Sequence, residues 1–263
     1  MKIVVPVKQV AVLDEEFELL DDRPGVDPDA LDWQLNEWDE FSLEAALQLR
    51  DAEGEGEVVV ISVGDEEAEE GLRACLAKGA DRAQRIWDDS LDGVDPLAVA
   101  RMLAAAVEGE SPDLVLCGVQ SSDGVHSATG VALAAHLGLS RVAVVKGLDY
   151  DRGSRSATVE RELEGGLVER LRVELPALFT IQTGINQPRY ANLRALKQAK
   201  EKPLELTSPA DLGLDADTLA ASAGSRVRSV GRPEVGEGAE MLNGSAAAVA
   251  ERIAEIVKER MSG

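Results

Sequence analysis

The chain has 263 residues, 44% of them hydrophobic, which is enough to bury the core of one large domain or of one domain with an appendage. Its 49 acidic residues outnumber its 27 basic ones, and the net charge of -22 disfavours nucleic acid or an anionic membrane as a partner. Cys75 and Cys117 lie in separate predicted elements without CxxC spacing, so the sequence indicates neither a disulfide framework nor a zinc site.

No apolar run approaches the ~18 residues that a bilayer span needs, and the apolar run at the N-terminus is too short for a signal peptide. The sequence therefore predicts a cytoplasmic protein with no direct membrane insertion. Acidic runs such as residues 14–16 and 66–67, with few lysines, favour a halophilic host whose salt screens the self-repulsion. An ordinary acidic mesophilic protein is the alternative.

Apolar runs alternate with helical patterns through most of the chain. The predicted strands are residues 3–7, 58–63, 84–87, 113–116, 142–145 and 177–181. The predicted helices are residues 40–50, 68–78, 96–107 and 128–137. Repeated strand–helix–strand units imply an α/β fold, a doubly wound parallel sheet with right-handed crossovers and helices on both faces.

The pattern changes in the second half. The alternating stretch TVERELEGGLVERLRVEL predicts an antiparallel hairpin extension over residues 158–175 that turns at Gly165 and Gly166 and has one solvated face. We expect residues 1–202 to form a nucleotide-binding domain. Residues 203–263 are predicted to form a C-terminal arm, polar and without periodicity over 207–244, that ends in a helix over 246–258.

The loop CGVQSSDGVHSATG, residues 117–130, brings glycines, hydroxyls and backbone amides to the start of a predicted helix, where a phosphate would fit. An ordinary loop with a capping serine is the alternative. Small or polar residues also follow two other strands, at 6–8 and 62–64, and ligands of doubly wound sheets bind beyond such strand ends. Neither GxGxxG nor GxxxxGK[ST] is present, so the sequence favours a nucleotide that is held without being cleaved.

Catalytic residues are not indicated by the sequence. His126 and His136 are ten residues apart, a poor spacing for a metal, and His136 fits a packing or helix-end role. No GxSxG elbow and no Ser–His–Asp order stands out. The chain is therefore predicted to be a carrier or binding protein, with no catalytic and no metal-binding residues.

The run VERELEGGLVERLRVELPALFTIQTGINQPRYANLRALKQAK, residues 159–200, strongly resembles the signature of the electron transfer flavoprotein beta subunit family. KIVVPVKQV, LNEWDEFSLEAALQLRD, CLAKGADRA, DPLAVARMLA and DLVLCGVQSSD resemble that family in the same order, so the similarity spans residues 1–215. The resemblance implies an adenine nucleotide alpha hydrolase-like fold and a heterodimer with an alpha subunit that makes most contacts to a redox-active FAD. This chain would hold AMP, or a second FAD in electron-bifurcating members, and the complex would carry electrons from flavin dehydrogenases to a quinone oxidoreductase.

The resemblance also implies a nucleotide site. Its residues are Pro6, Asn36, Val63, Gly118, Val119, Gln120, Ser121, Ser122, Asp123, Gly124, Val125, His126, Ser127, Ala128 and Thr129. Asn36 would read an adenine edge or hold the loop, Asp123 would accept from a ribose hydroxyl or orient the loop, and Ser127 with Thr129 would meet the phosphate. Relatives often carry an acidic residue at Val125 and amides at Ser127 and Ala128, which leaves open the choice between AMP and FAD.

Three further positions follow from the resemblance. Leu196 would anchor a partner dehydrogenase from an exposed recognition loop over residues 189–200, unless its side chain packs inward. Glu169 matches an acidic position linked to motion of the flavin domain, and Phe17 matches a position near the isoalloxazine ring, although both fit ordinary surface residues. Two other functions stay open: electron bifurcation from NADH, and a homodimeric adenine-nucleotide sensor without flavin.

Overall fold

The computed structural model describes residues 1–12, 17–21, 24–27, 31–91, 94–215, 217, 219, 224–232, 234, 236, 238–239 and 241–261. The chain forms two compact units, Met1–Arg228 and Ser229–Gly263. The first unit contains every strand described below and the candidate functional site. The second contains the last helix.

Strands occupy about a quarter of the described chain. They are β1 Lys2–Pro6, β2 Gln9–Val12, β3 Asp32–Leu35, β4 Glu57–Val63, β5 Arg82–Ile86, β6 Leu114–Gly118, β7 Ser140–Asp151, β8 Ser156–Glu162, β9 Val168–Glu174, β10 Ala177–Ile181 and β11 Leu204–Thr207. Nine of them form one sheet in the order β11-β5-β4-β1-β6-β10-β7-β8-β9, while β2 and β3 form a separate antiparallel pair. Every pair from β11 to β7 is parallel, and the pairs β7–β8 and β8–β9 are antiparallel.

Helices cover both faces of the sheet, which confirms the predicted doubly wound α/β fold. They are α1 Glu37–Glu53, α2 Ala68–Lys78, α3 Pro96–Glu110, α4 Thr129–Leu137, α5 Leu193–Ala199 and α6 Ala246–Met261. Side chains of α1, α2 and α5 pack in one core cluster, and those of α3 and α4 pack in the other. Strands β1, β6 and β10 are apolar along most of their length because both of their faces are buried.

Local sequence signals account for the helix ends near the site. Pro96 is the first residue of α3, where a missing N–H costs little, and the Asp95 side chain accepts from Ala98 N at 2.9 Å. Helix α1 ends at Gly54, whose φ of 71° a glycine adopts without strain. Asp95 and Pro96 thus define the start of α3, the end of that helix that lines the cavity described below, whereas Gly54 lies at the opposite end of α1 from Asn36.

The predicted hairpin is confirmed as β8 and β9, with Gly165 and Gly166 at φ values of 73° and 76° in the turn between them. The prediction for the preceding strand was too short, because β7 continues to Asp151 and pairs with β8 from Val145 onward, with a shift of register before Gly147. This second half of β7 is polar and partly exposed, so its sequence resembles a loop. The hairpin is therefore the edge of the main sheet.

Three short strands were not predicted from the sequence. Strand β11 joins the edge of the sheet beside β5, so the sheet extends past residue 202, and β2 and β3 lie between β1 and α1 in the chain. Residues 216, 218, 220–223, 233, 235, 237, 240 and 262–263 of the predicted arm lie outside the described residues. The final helix is present as α6, and the arm's contact with another subunit stays a prediction.

Candidate functional site

A cavity of about 340 Å³ opens at the carboxyl edge of the sheet, within the first unit. The ends of β1, β4 and β6 meet there with the first turns of α1 and α4 and the first half of α3. Most of the predicted site residues line this one cavity: Pro6, Asn36, Val63, Gly118, Val119, Gln120, Ser121, Gly124, His126, Ser127, Ala128 and Thr129. Segments far apart in the sequence are thus brought together at the edge where the sequence located them.

Four predicted residues do not line the cavity. Ser122 donates its backbone N–H to the side chain of Asn36, and Val125 is 56% exposed with a φ of 51°. Asp123 is tied to Lys8, as described below. Phe17 is half-buried and lies elsewhere, and residues 14–16 before it lie outside the described residues.

Asn36 fastens the loop that follows β6. Its side-chain Nδ2 donates to Gln120 O at 2.9 Å, and its Oδ1 accepts from Ser122 N at 3.2 Å. Its own N–H donates to Lys8 O at 2.9 Å, and the residue is only 1% exposed. These hydrogen bonds hold the loop, and contact of Asn36 with an adenine edge stays a prediction.

Asp123 and Lys8 form a second fastening across the mouth of the cavity. Lys8 Nζ lies 2.8 Å from Asp123 Oδ1 and 2.7 Å from Oδ2, and Gly124 N donates to Asp123 Oδ1 at 2.6 Å. Partial burial opposes ionisation of Asp123, but hydrogen bonds from Lys8 and Ser121 outweigh it and hold the pKa below its usual value. The carboxylate orients the loop, one of the two roles expected for it.

The start of α4 faces the same cavity. Ala128 occupies the N-cap position, and no side chain of the described residues caps this helix. Ser127, which has a φ of 51°, donates instead to Gln120 Oε1 at 3.2 Å, so the alternative of a capping serine does not hold. An uncapped helix start presents backbone N–H groups that bind an anion well.

Close packing holds the start of α4 against the sheet. A Cβ atom at Gly130 would lie 2.8 Å from Thr180 Cγ2 and 3.1 Å from Cys117 Sγ, so only glycine lets the helix approach β6 and β10 this closely. The thiols of Cys75 and Cys117 are free and buried, and burial raises the pKa of Cys75 to about 12 and that of Cys117 further. Both thiols stay protonated at neutral pH, and a protonated thiol is a poor nucleophile.

Sequence reasoning missed part of the cavity wall. Val7, Lys8, Cys117 and Gly130 lie in the strand-end and loop segments that the sequence analysis singled out, whereas Asp39, Trp87, Leu91, Val94, Pro96, Val99 and Leu103 were missed. Trp87 could have been found, because it follows the carboxyl end of β5. The apolar residues of α3 cannot be distinguished by sequence from ordinary core positions.

Asp39 is the most unusual charged group in this wall. It is 5% exposed and accepts from Lys8 N at 2.8 Å through Oδ2. Burial raises its pKa to about 7, although hydrogen bonds from Lys8, Asn36 and Gly118 partly offset that effect. The carboxyl therefore changes its charge near neutral pH.

The predicted recognition loop carries exposed apolar side chains. Leu196 is 44% exposed, so it does not pack fully inward. Leu193 and Tyr190, which the sequence analysis did not single out, are 80% and 94% exposed. Asn192 caps α5 by accepting from Ala195 N at 2.9 Å, which fixes the directions of both leucines.

Glu169 lies on β9, opposite Arg161 on β8, and its Oε2 is 3.5 Å from Arg161 Nη1. Among the described residues, no three His, Cys, Asp or Glu side chains are arranged to hold a metal ion. In the same part of the chain, no helix is both long and apolar enough to cross a bilayer.

Comparison with known proteins identifies the family. Residues 25–212 match the model of the electron transfer flavoprotein domain. The chain is 48% identical over 261 residues to the electron transfer flavoprotein subunit beta of Methylophilus methylotrophus, covering 98% of both chains. It is 36% identical to the subunit beta of Bradyrhizobium diazoefficiens, over 82% of this chain and 84% of that one, and 31% identical to that of Bacillus subtilis over 98% of both. The chain belongs to the electron transfer flavoprotein beta subunit family.

Membership of this family confirms the resemblance seen in the sequence and gives the chain an electron-transfer role. The bifurcating alternative receives no support, since the relatives reported above are named only as electron transfer flavoprotein subunits. The match also covers nearly the full length of the Methylophilus protein, so the sequence similarity includes the C-terminal unit.

Proposed function

We propose that this chain is the beta subunit of a heterodimeric electron transfer flavoprotein that carries electrons from flavin dehydrogenases to a quinone oxidoreductase. In this assignment an alpha subunit makes most contacts to the redox-active FAD, and the cavity at the carboxyl edge holds AMP. The observation that carries the proposal is the convergence of twelve predicted site residues on one cavity in a chain of this family.

The chemistry of the cavity fits an adenylate. The uncapped start of α4 and the hydroxyl of Thr129 suit a phosphate, while Trp87 and Leu103 supply an apolar wall for an adenine ring. A volume of about 340 Å³ lies at the small end of the ~300–1,000 Å³ usual for ligand pockets. AMP is a fragment of FAD, and this volume favours the fragment over the whole cofactor.

An uncovered apolar stripe supports a partner subunit. Helix α6 has no buried residue, and Ile253, Val257 and Met261, spaced four apart on one face, are 49%, 49% and 83% exposed. An apolar stripe with this period normally faces a packing partner. We assign it to the alpha subunit, which agrees with the expected arm at residues 203–263.

The segment 189–200 supports contact with flavin dehydrogenases. Leu193 and Leu196 are one helical turn apart and both exposed, and aliphatic side chains give non-directional binding energy that several partners can share. Glu169 is proposed to influence motion of the flavin domain, and Phe17 is proposed to approach the isoalloxazine ring. We also propose a halophilic host, which the net charge of -22 supports, and a cytoplasmic location, which fits the two free cysteines.

Cofactor stoichiometry tests the proposal. The chain is co-expressed with its alpha subunit, the complex is purified and denatured, and the released flavin and AMP are quantified. We expect one FAD and one AMP per heterodimer. Two FAD without AMP would replace the proposal with the bifurcating function, and a colourless homodimer would replace it with a nucleotide sensor.

A further inference from the structure

A buried carboxyl lies behind the loop of the proposed nucleotide site. Asp39 is the third residue of α1, is 5% exposed, and forms part of the cavity wall. An unpaired carboxylate is costly to bury, and in natural proteins such groups are retained where their hydrogen bonds matter. The partners of Asp39 therefore indicate what it does.

Those partners come from three different elements. The N–H of Lys8, just after β1, donates to Asp39 Oδ2 at 2.8 Å, and the backbone of Gly118 at the end of β6 bonds to the same carboxyl. The Asn36 side chain, which holds the loop, also donates to it. Asp39 thus joins two neighbouring strand ends at the point where their chains separate to line the cavity.

Packing leaves this carboxyl little freedom. A Cβ atom at Gly118 would lie 2.4 Å from Asp39 Oδ1 and 2.8 Å from Trp38 Cβ. The neighbouring Trp38 is itself fixed, because its Nε1 donates to Gln182 Oε1 at 3.0 Å. Asp39 therefore cannot turn away to find other partners when its protonation changes.

We propose that Asp39 is a positioning residue of the nucleotide cavity, whose ionised carboxylate holds the ends of β1 and β6 in the arrangement that binds AMP. This inference rests on the proposed function of the cavity. A carboxylate accepts from several N–H groups at once, whereas a protonated carboxyl carries a hydrogen that opposes one of these donors. Protonation of Asp39 then loosens the loop and weakens AMP binding.

Among the ionisable groups packed around its carboxyl, Asp39 itself is the one whose protonation changes near neutral pH. Lys8 Nζ is held by Asp123, and the thiols of Cys75 on α2 and Cys117 on β6 face the same carboxyl and stay protonated. Burial raises the pKa of Asp39 to about 7. His126 is a further titratable group in the cavity wall and requires its own control.

AMP affinity measured against pH tests the inference. The heterodimer is freed of AMP, and AMP binding is measured by calorimetry at pH 6 and pH 8 for the wild type, Asp39→Asn and His126→Gln. If only the ionised form binds AMP, wild-type affinity rises about tenfold over this range beyond the change seen in Asp39→Asn. The titration of the AMP phosphate is common to all three proteins and cancels from that difference, and His126→Gln keeps the tenfold rise.

The stability of Asp39→Asn distinguishes a positioning role of Asp39 from a general structural role. Since burial disfavours the charged form, Asp39→Asn should be at least as stable as the wild type in urea at pH 8, while it binds AMP at least about a hundredfold more weakly because it lacks the ionised carboxylate. A variant with wild-type affinity and wild-type pH dependence overturns the inference. So does a variant that loses stability and affinity together. Absence of AMP binding by the wild type at both pH values would instead remove the proposed function.

Discussion

Two regions of this molecule begin a helix with asparagine, and they use it in opposite ways. Asn192 caps its own helix, α5, and the leucines of that helix are left exposed. Asn36 makes no side-chain cap to α1 and instead fastens the loop 118–124 from a buried position. The same residue type at the N-cap position thus shapes an internal cavity in one region and stabilises an exposed surface in the other.

The difference indicates what each region binds. Around the cavity the polar side chains of Asn36, Asp39 and Asp123 are committed to backbone or side-chain partners, so the ligand meets a preorganised wall. Along the segment 189–200, by contrast, Tyr190 and Leu193 are almost fully exposed to solvent. A preorganised wall suits one small ligand, whereas an exposed apolar surface suits exchange between protein partners.

The largest expected effect concerns the internal region. The folded pKa of Asp39 is about 7 and its ordinary value is 3.8, so its contribution to stability is full below pH 3.8 and is lost as pH rises through 7. Asp39→Asn cannot titrate. Its stability relative to the wild type should therefore rise by about 2.5 kcal/mol between pH 5 and pH 8. Urea unfolding at both pH values measures this, and a constant difference would show that Asp39 is not buried as described.

Asn36→Ala should lower both the stability of the protein and its AMP content, and a measurement at one pH is enough to show it. The change leaves Gln120 O and Ser122 N without their partner, which costs about 2 kcal/mol of unfolding free energy and lowers AMP content. Asn36→Asp is the matched variant, because it keeps an acceptor for Ser122 N but loses the donor to Gln120 O. Retention of AMP at the wild-type level in Asn36→Ala would contradict the role of Asn36.

Substitutions in the segment 189–200 should impair contact with a partner dehydrogenase but leave the cofactor content unchanged. Leu193→Ala should raise the KM for reduction by a partner dehydrogenase roughly tenfold, about 1.4 kcal/mol, with unchanged AMP and FAD content. Leu196→Ala should raise it less, since Leu196 is 44% exposed and Leu193 is 80% exposed. Leu206→Ala removes an exposed leucine from β11 and serves as the control. If all three variants had the same KM, the segment 189–200 would not be the docking site.

The smallest effect is expected from removal of the N-cap of α5. Asn192→Ala removes the bond to Ala195 N and should cost α5 about 1 kcal/mol. Because α5 has only seven residues, the leucines lose part of their fixed geometry and the KM rises by less than in Leu193→Ala. Asn192→Asp keeps a capping oxygen and should restore the kinetics. A loss of AMP in Asn192→Ala would show that the two regions are coupled.

The sequence predicted the strands that are buried on both faces and the edge at which the cavity lies, because continuous apolar runs and strand-end loops are strong local signals. It did not predict the second half of β7, since its polar alternation depends on pairing with β8. Asp39 was missed for a similar reason. Its partners Lys8 and Gly118 are 31 and 79 residues away in the chain, and nothing in the local pattern of α1 distinguishes it from the acidic residues of an ordinary first helical turn.

Photolabelling tests the location of the nucleotide most directly. The heterodimer, freed of AMP, is irradiated with 8-azidoadenosine monophosphate, digested, and mapped by mass spectrometry, with excess AMP as competitor. We expect AMP-sensitive labelling of this chain on peptides that contain Trp87–Leu103 or Cys117–Gly130, which enclose the cavity. Labelling that AMP does not suppress, or that falls on peptides away from the cavity, would contradict an adenylate at the carboxyl edge of the sheet.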